Sequence, residues 1–455
     1  MQTRARQPRV PVAVWIAMWL FGALAAAFAA LPALAGAQAP VPLPAVERPL
    51  RPDREPVTIE FWHAWDEWRT ELMAEVVRRF EEAFPWIHVD INLVPLAAGP
   101  RMDRAITAYA AGTPPDLLMA QRFEVPWFAA NEMIRPIDDF VEERELDLAI
   151  FFPGELGGFT YEGRLYSLPM PGGGGTTYLL TWNSNMLREA GLPNEPARTW
   201  REYLEYARRI NRYDAGDVPV KYVAPPPGSA FRPLLYSNNG TYYDPDSRRI
   251  TFDSEEGREV LYFIRDAHAL FRGPIPPAGR SEFFTDQSAV YWINQSIFGH
   301  SRELAPDLEY VVGTVPYNDE RPGAAGHGVI DAGWGYVIPR TAPEDRAYAA
   351  YLLLEWLAAE ESGGVWFLKQ QGRPSAVIAF ATDPYFYEIT PQWAEFVEVL
   401  LTDLPIPLTP VDSEIRTIMA RMVSSMTSGE LAPEIALAEG ARQAQQAIDD
   451  FYRGQ

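Results

Sequence analysis

From Val57 to Trp62 the chain alternates apolar and polar residues (VTIEFW), the period of a half-buried strand. A short polar and aromatic turn follows, His63-Ala64-Trp65-Asp66. Trp68, Leu72, Val76, Phe80 and Phe84 then recur every four residues, with Met73 and Val77 beside them. That spacing predicts a helix with one apolar stripe facing a core, stopped by Pro85. Ile87, Val89, Ile91 and Leu93 alternate again. A second helix from about Arg101 to Ala111 ends at Gly112, and Leu117-Leu118-Met119 reads as a third strand. Strand, helix, strand, helix, strand implies a parallel, doubly wound α/β sheet. Ligands of such sheets sit beyond the carboxyl ends of the strands. Those ends are His63 to Asp66 and Gln121 to Glu124.

Further along, Pro171 opens a run of four glycines before an apolar stretch with aromatic residues (PGGGGTTYLLTWN). Thr199-x-x-Glu202 is a capping box that starts a helix through Trp200, Leu204, Ala207 and Ile210. A Pro/Gly loop (APPPGSA, 224–230) precedes helical patterning over 255–271. Residues 288–296 (SAVYWINQS) read as a buried strand running into a polar turn. Strand grammar returns at GWGYVI (333–338), followed by a second capping box, Thr341-x-x-Glu344, whose helix carries Ala347, Tyr351, Leu354 and Leu357. Residues 413–453 read as two amphipathic helices broken near Gly429.

Length and charge narrow the function. At 455 residues, 47% of them hydrophobic, the chain is long enough for two domains with real cores. A net charge of -22 argues against nucleic acid and anionic membrane as partners. The absence of cysteine excludes disulfides, thiol catalysis and Cys-ligated zinc. The five histidines show no ligand spacing, and no phosphate-binding or nucleophile motif appears, so neither metal nor cofactor is expected. The N-terminus reads as a signal peptide, residues 1–37. Arg4, Arg6 and Arg9 precede an apolar run, and small-residue cleavage sites end at Ala35 and Ala37. An uncleaved anchor is the rival reading of the same run. A Pro-rich linker covers 38–55.

An ordered set of segments carries a resemblance. VTIEFWHAW (57–65), GTPPDLLMA (112–120), GRLYSLPMP (163–171), LTWNSNMLREAGLP (180–193), TWREYLEYARRI (199–210), VVGTVPYN (311–318), GWGYVIPR and QGRPSA (371–376) follow one another. Together they resemble the extracellular solute-binding proteins of sugar-type ABC importers, the family of maltose- and glycerol-3-phosphate-binding proteins. The resemblance implies an α/β, two-lobe periplasmic-binding-protein fold with a hinge and an interlobe ligand cleft. It implies lobe one at 56–171 plus 327–372 and lobe two at 172–326 plus 373–453. The glycines Gly172, Gly173, Gly174 and Gly175 then fall where the chain first crosses between lobes, as hinge residues. Glycine there absorbs dihedral change and admits a ligand closely.

The resemblance also implies the site. His63, Trp65 and Asp66 match the ligand loop after the first strand; capping and core packing are the rival roles. One of Arg122 and Glu124 follows the third strand at a contact position. Thr176, with Thr177 and Tyr178, continues the crossover, and Trp182 is either an aromatic contact or a core residue. Ser229 and Phe231, beside Gly228, lie on a lobe-two loop. Trp292, Asn294 and Ser296, with Gln295, lie on the strand-to-turn segment, where amides can both donate to and accept from hydroxyls. Asp331, Gly333 and Trp334, with Tyr336, lie on the returning segment, and Trp334 is the expected stacking ring. Arg373 suits a phosphate or carboxylate; Arg416 is weighed for the same role against a salt bridge. The expected function is capture of a carbohydrate or a glycerol-3-phosphate-like solute by an exported, monomeric, non-catalytic subunit. It would deliver that solute to ABC permease subunits. A secreted glycoside-active enzyme with paired carboxylates and a membrane-tethered solute sensor are the alternatives.

Overall fold

The computed structural model describes residues 55–65, 68–94, 101–170, 179–275, 279–293, 296–330, 333–402 and 404–454. The expected signal peptide, nearly all of the expected linker and the four glycines expected at the hinge lie outside them. So do Asp66, Thr176, Thr177, Tyr178, Asn294, Gln295 and Asp331. The described residues fall in one compact unit, Arg54–Gln455, which holds three packed cores.

The first core is built on a four-stranded sheet. Strand β1 (Val57–His63) pairs in parallel with β2 (Ile87–Leu93), Val57 opposite Ile87 and His63 opposite Leu93. It also pairs in parallel with β3 (Leu117–Gln121). Helix α1 (Trp68–Ala83) makes the crossover and buries Met73, Val76, Val77 and Phe80 against Ile59 and Phe61. The crossover after β2 contains α2 (Arg101–Ala110), and Gly112 behind it takes a left-handed φ of 74°, the terminator the sequence predicts.

The second core lies behind an antiparallel sheet. Its central strand β4 (Leu179–Asn183) is flanked by β5 (Val290–Ile293) and β6 (Tyr310–Gly313). Helices α3 (Trp200–Ile210) and α4 (Glu255–His268) cover it, α3 opening on the Thr199/Glu202 capping box. Helix α5 (Ser296–Leu304) follows β5.

The chain then returns to the first sheet. Strand β7 (Trp334–Val337) runs antiparallel to β3, with Trp334 opposite Gln121. Helix α6 (Glu344–Ala359), buried on nearly every side, packs on the same core, and α7 (Trp366–Gln371) follows. Helices α8 (Asp412–Thr427) and α9 (Pro433–Arg453) finish the second core, separated at Gly429 with φ 79°. The third core joins Phe152 and Leu179 to segments 283–312 and 381–400.

Two local expectations are corrected. Trp68 does not belong to the core stripe; it is 51% exposed. It lies in the first turn of α1, ahead of the part of the helix that docks on the sheet. Thr341 does not cap α6, which begins at Glu344 behind Pro343. Pro343 has extended backbone (ψ 149°) just before the first turn. Glu344 and Asp345 supply the negative charge that the helix N-terminus favours.

Candidate ligand-binding site

The carboxyl end of β1 turns sharply because His63 Nδ1 accepts the backbone N–H of Trp65 at 3.1 Å. His63 is buried, and burial pulls its imidazole down to about 4, so the ring is neutral at physiological pH. Trp65 is 3% exposed. Its ring meets Phe367 edge-on at 5.2 Å, and its Nε1 donates to the Tyr336 hydroxyl at 3.2 Å. Trp65 therefore ties the β1 turn to β7. The Arg69 and Arg373 guanidinium carbons lie 5.4 and 5.9 Å from the Trp65 ring centroid, within cation–π range. Burial, with the Arg69 charge adding, pulls Arg373 down to about 10, which leaves it cationic at neutral pH. Gly372 before it has φ 63°, and a Cβ there would fall 1.8 Å from Arg302 Nη2. The left-handed φ is what favours glycine here, since the exposed Arg302 tip could swing aside.

At the end of β3, the Arg122 N–H donates to Gly333 O at 2.9 Å, which joins this turn to the start of β7. The Arg122 side chain is wholly buried, and its Nη2 donates to Gly154 O at 3.0 Å. Glu155 is buried beside it. Burial raises the Glu155 carboxyl to about 7 against the opposing pull of Arg122. Glu124 Oε2 accepts the Gln121 N–H at 2.6 Å, so it braces the Arg122–Glu124 turn. Trp334 on β7 is half-buried against the first core.

From the second core, Trp292 donates through Nε1 to the Tyr203 hydroxyl at 3.0 Å, and its ring is half-buried. Ser229 is exposed, whereas Phe231 is fully buried and meets Phe252 edge-on at 5.8 Å. As found, the Phe231 ring is a core element. Ser229 and Phe231 share a cavity of about 280 Å³ with Arg232 and Arg416. Arg416 lies over the Phe123 ring at 4.8 Å and donates to Asp412 Oδ2 at 2.9 Å. Asp412 is fully buried and also accepts from Arg232 Nη1 (2.9 Å) and the Tyr242 hydroxyl (2.8 Å). Burial alone would raise its pKa, but Arg232 and Arg416 hold it below the usual carboxylate range. The carboxylate partner of Arg416 is thus interior rather than on the surface.

His63, Trp65, Arg122, Gly333, Trp334 and Arg373 come together at one end of the first sheet. Trp182 is fully buried among Tyr203 and Tyr206 and serves the second core. Ser296 opens α5. Sequence reasoning missed the cationic company of Arg373. Arg69, Arg280 and Arg302 line a second cavity with it, of about 580 Å³, and Trp68 stands at the same wall.

The fold is shared with solved two-lobe periplasmic binding proteins. A solute-binding protein from Thermotoga lettingae bound with α-D-tagatose superposes with a TM-score of 0.69 at 24% identity, covering 86% of this chain and 99% of that one. The sugar-binding protein MalE from Xanthomonas citri gives 0.71 at 20%, covering 87% and 98%. UgpB from Mycobacterium tuberculosis in complex with glycerophosphocholine gives 0.72 at 16%, covering 87% and 99%. The molecule is a two-lobe α/β binding protein. Residues 66–364 match the bacterial extracellular solute-binding protein family, and the chain belongs to it. Among curated relatives, an arabinooligosaccharide-binding protein of Halalkalibacterium halodurans is 21% identical over 202 residues. A mannitol-binding protein of Pseudomonas aeruginosa is 28% identical over 147 residues. These matches span 44% and 32% of this chain, and only 40% and 33% of the relatives. No helix among the described residues is long and apolar enough to cross a membrane.

Proposed function

We propose that this chain is the solute-capture subunit of an ABC importer, and that its solute is a carbohydrate. It closes two lobes on that solute, 56–171 plus 327–372 and 172–326 plus 373–453, about the Gly172–Gly175 crossover. It then hands the solute to membrane permease subunits as a monomer and performs no chemistry on it. The observation that carries this reading is the end of the first sheet. There Trp65 is locked between Tyr336 and Phe367, and Trp334, two residues before Tyr336 on β7, is half-buried. A sugar has one apolar face and a rim of hydroxyls, which suits an aromatic ring flanked by fixed donors and acceptors. The named ligands of the two curated relatives, an arabinooligosaccharide and mannitol, are both polyhydroxylated.

A thermal-shift screen over sugars, oligosaccharides and polyols tests the reading. A ligand that binds only the folded state at 100 times its Kd stabilises it by about 2.7 kcal/mol. Incubation of any hit should return it unchanged; released products would favour the glycoside-active enzyme instead. Trp334→Ala should weaken a hit by about 1–3 kcal/mol, the range that losing an aromatic ring costs where a nucleobase stacks on it. Unchanged affinity by calorimetry would assign that ring to the core alone.

A further inference from the structure

The chain carries 61 acidic residues against 39 basic ones, so a site of concentrated positive charge runs against its composition. One exists. The cavity of about 580 Å³ is lined by Arg69, Arg280, Arg302 and Arg373, with His300 and, among the described residues, one carboxylate, Glu303. Its walls come from α1, from the start of the helix Arg280–Phe284, from α5 and from the turn after α7. Elsewhere the fold matches its cations closely. Arg321 reaches Glu255, Glu256 and Glu259; Arg144 meets Glu355; Arg232 meets Asp412. Among the described residues, no carboxylate lies within ion-pair distance of Arg280, Arg302 or Arg373. The charges act on one another. His300 is pulled down first by its burial, then by Arg280 and Arg373. Its Nδ1 is buried with no hydrogen-bond partner among the described residues. Gathering like charges is unfavourable unless something of opposite sign joins them.

Trp68 adds the second half of the argument. It lines the same cavity and is 51% exposed, an unusual state for so large an apolar ring. An aromatic face beside forked guanidinium donors fits a molecule that is part sugar ring and part oxyanion.

We propose that this cavity binds the anionic group of an acidic saccharide, a sugar bearing a carboxylate, phosphate or sulfate, with Trp68 against the sugar ring. The inference rests on the carbohydrate reading above and narrows it to charged sugars.

The test is isothermal titration of the full chain with matched sets of ligands. Each set holds a neutral mono- or oligosaccharide and its uronate, phosphate and sulfate forms; inorganic phosphate and sulfate are titrated alone. At least one acidic form should bind about 10-fold or more tightly than its neutral parent, as charge-assisted contacts allow. That preference should shrink as salt rises, because the cavity is open to solvent. Arg280→Gln with Arg302→Gln should remove most of the preference, whereas Arg265→Gln, on an exposed face elsewhere, should keep it. Both cavity substitutions are at exposed side chains, and Arg280→Gln alone serves if the double variant melts early. The three acidic forms distinguish which oxyanion is read. Equal binding of neutral and acidic forms overturns the inference and leaves carbohydrate capture standing. A preference untouched by the arginine substitutions also overturns it, as does inorganic phosphate binding as tightly as the sugar phosphate. Binding of no saccharide at all removes both this inference and the reading it rests on.

Discussion

Arg122 and Gly158 show how much one residue can decide. A Cβ on Gly158 would fall 1.7 Å from Arg122 Nε, in a buried place where the guanidinium is also tied to Gly154 O. Gly158 has an ordinary helical φ of -75°, so the cost of a methyl there is steric alone. Gly158→Ala should destabilise the chain by about 1–3 kcal/mol, the usual cost of overpacking, read by denaturant melts. Glu155 in the same pocket gives a pH signature. Its folded-state pKa of about 7 lies above the unfolded value of about 4.3. The folded chain therefore holds a proton that the unfolded chain has released, and stability falls as pH rises toward and through 7. Glu155→Gln should flatten that fall by about 3 kcal/mol between about pH 4.5 and about pH 8. Parallel slopes for the two proteins would show that Glu155 stays ionised throughout.

At the scale of elements, what the sequence makes legible is what repeats locally. β1, β2 and the stop at Gly112 can be read because strand alternation and glycine φ are local properties, and the breaks at Pro85 and Gly429 follow the same logic. Trp68 is misread because its i, i+4 spacing fits the stripe, while its exposure depends on where α1 meets the sheet. Of the candidate site, Trp65 can be placed by its position after a strand and Trp334 by the resemblance of the returning segment, but their neighbours cannot. Arg69, Arg280, Arg302 and Arg373 sit in four separate segments, and only tertiary structure gathers them. The Asp412 network is equally long-range: α8 brings Asp412 to Arg232 and Tyr242, which lie some 170 or more residues earlier. Side chains 2% and 0% exposed make this a buried pair. Asp412→Asn would leave Arg232 without its charge partner there and should cost about 3–5 kcal/mol at neutral pH. Because the Asp412 pKa is depressed, its contribution is present above the ordinary carboxylate range and is lost as pH falls through the lowered value. The variant and the parent should therefore converge in stability under strong acid, in urea melts taken at stepped pH.

For the whole molecule, the closure proposed above depends on contacts between the two cores. The Arg122–Glu124 turn belongs to the first core and α8 to the second, and they meet where the Arg416 guanidinium lies over Phe123 at 4.8 Å. Asp412 holds that guanidinium from its own helix, independently of the Phe123 ring. A contact of this kind contributes about 0.5–2 kcal/mol. In a two-lobed body whose open and closed forms differ by a few kcal/mol, that is enough to move the balance several-fold. Phe123→Ala removes the ring and leaves the Asp412–Arg416 pair in place, so it should favour the open form without unfolding either core. The expected result in small-angle scattering is a larger radius of gyration for the unliganded variant than for the parent, with a melting temperature nearly unchanged. A solute found in the screen should bind the variant more weakly by about 2- to 30-fold, because part of its binding energy now goes into closing the lobes. An unaltered radius together with unaltered affinity would mean that the Arg416–Phe123 contact has no part in closure.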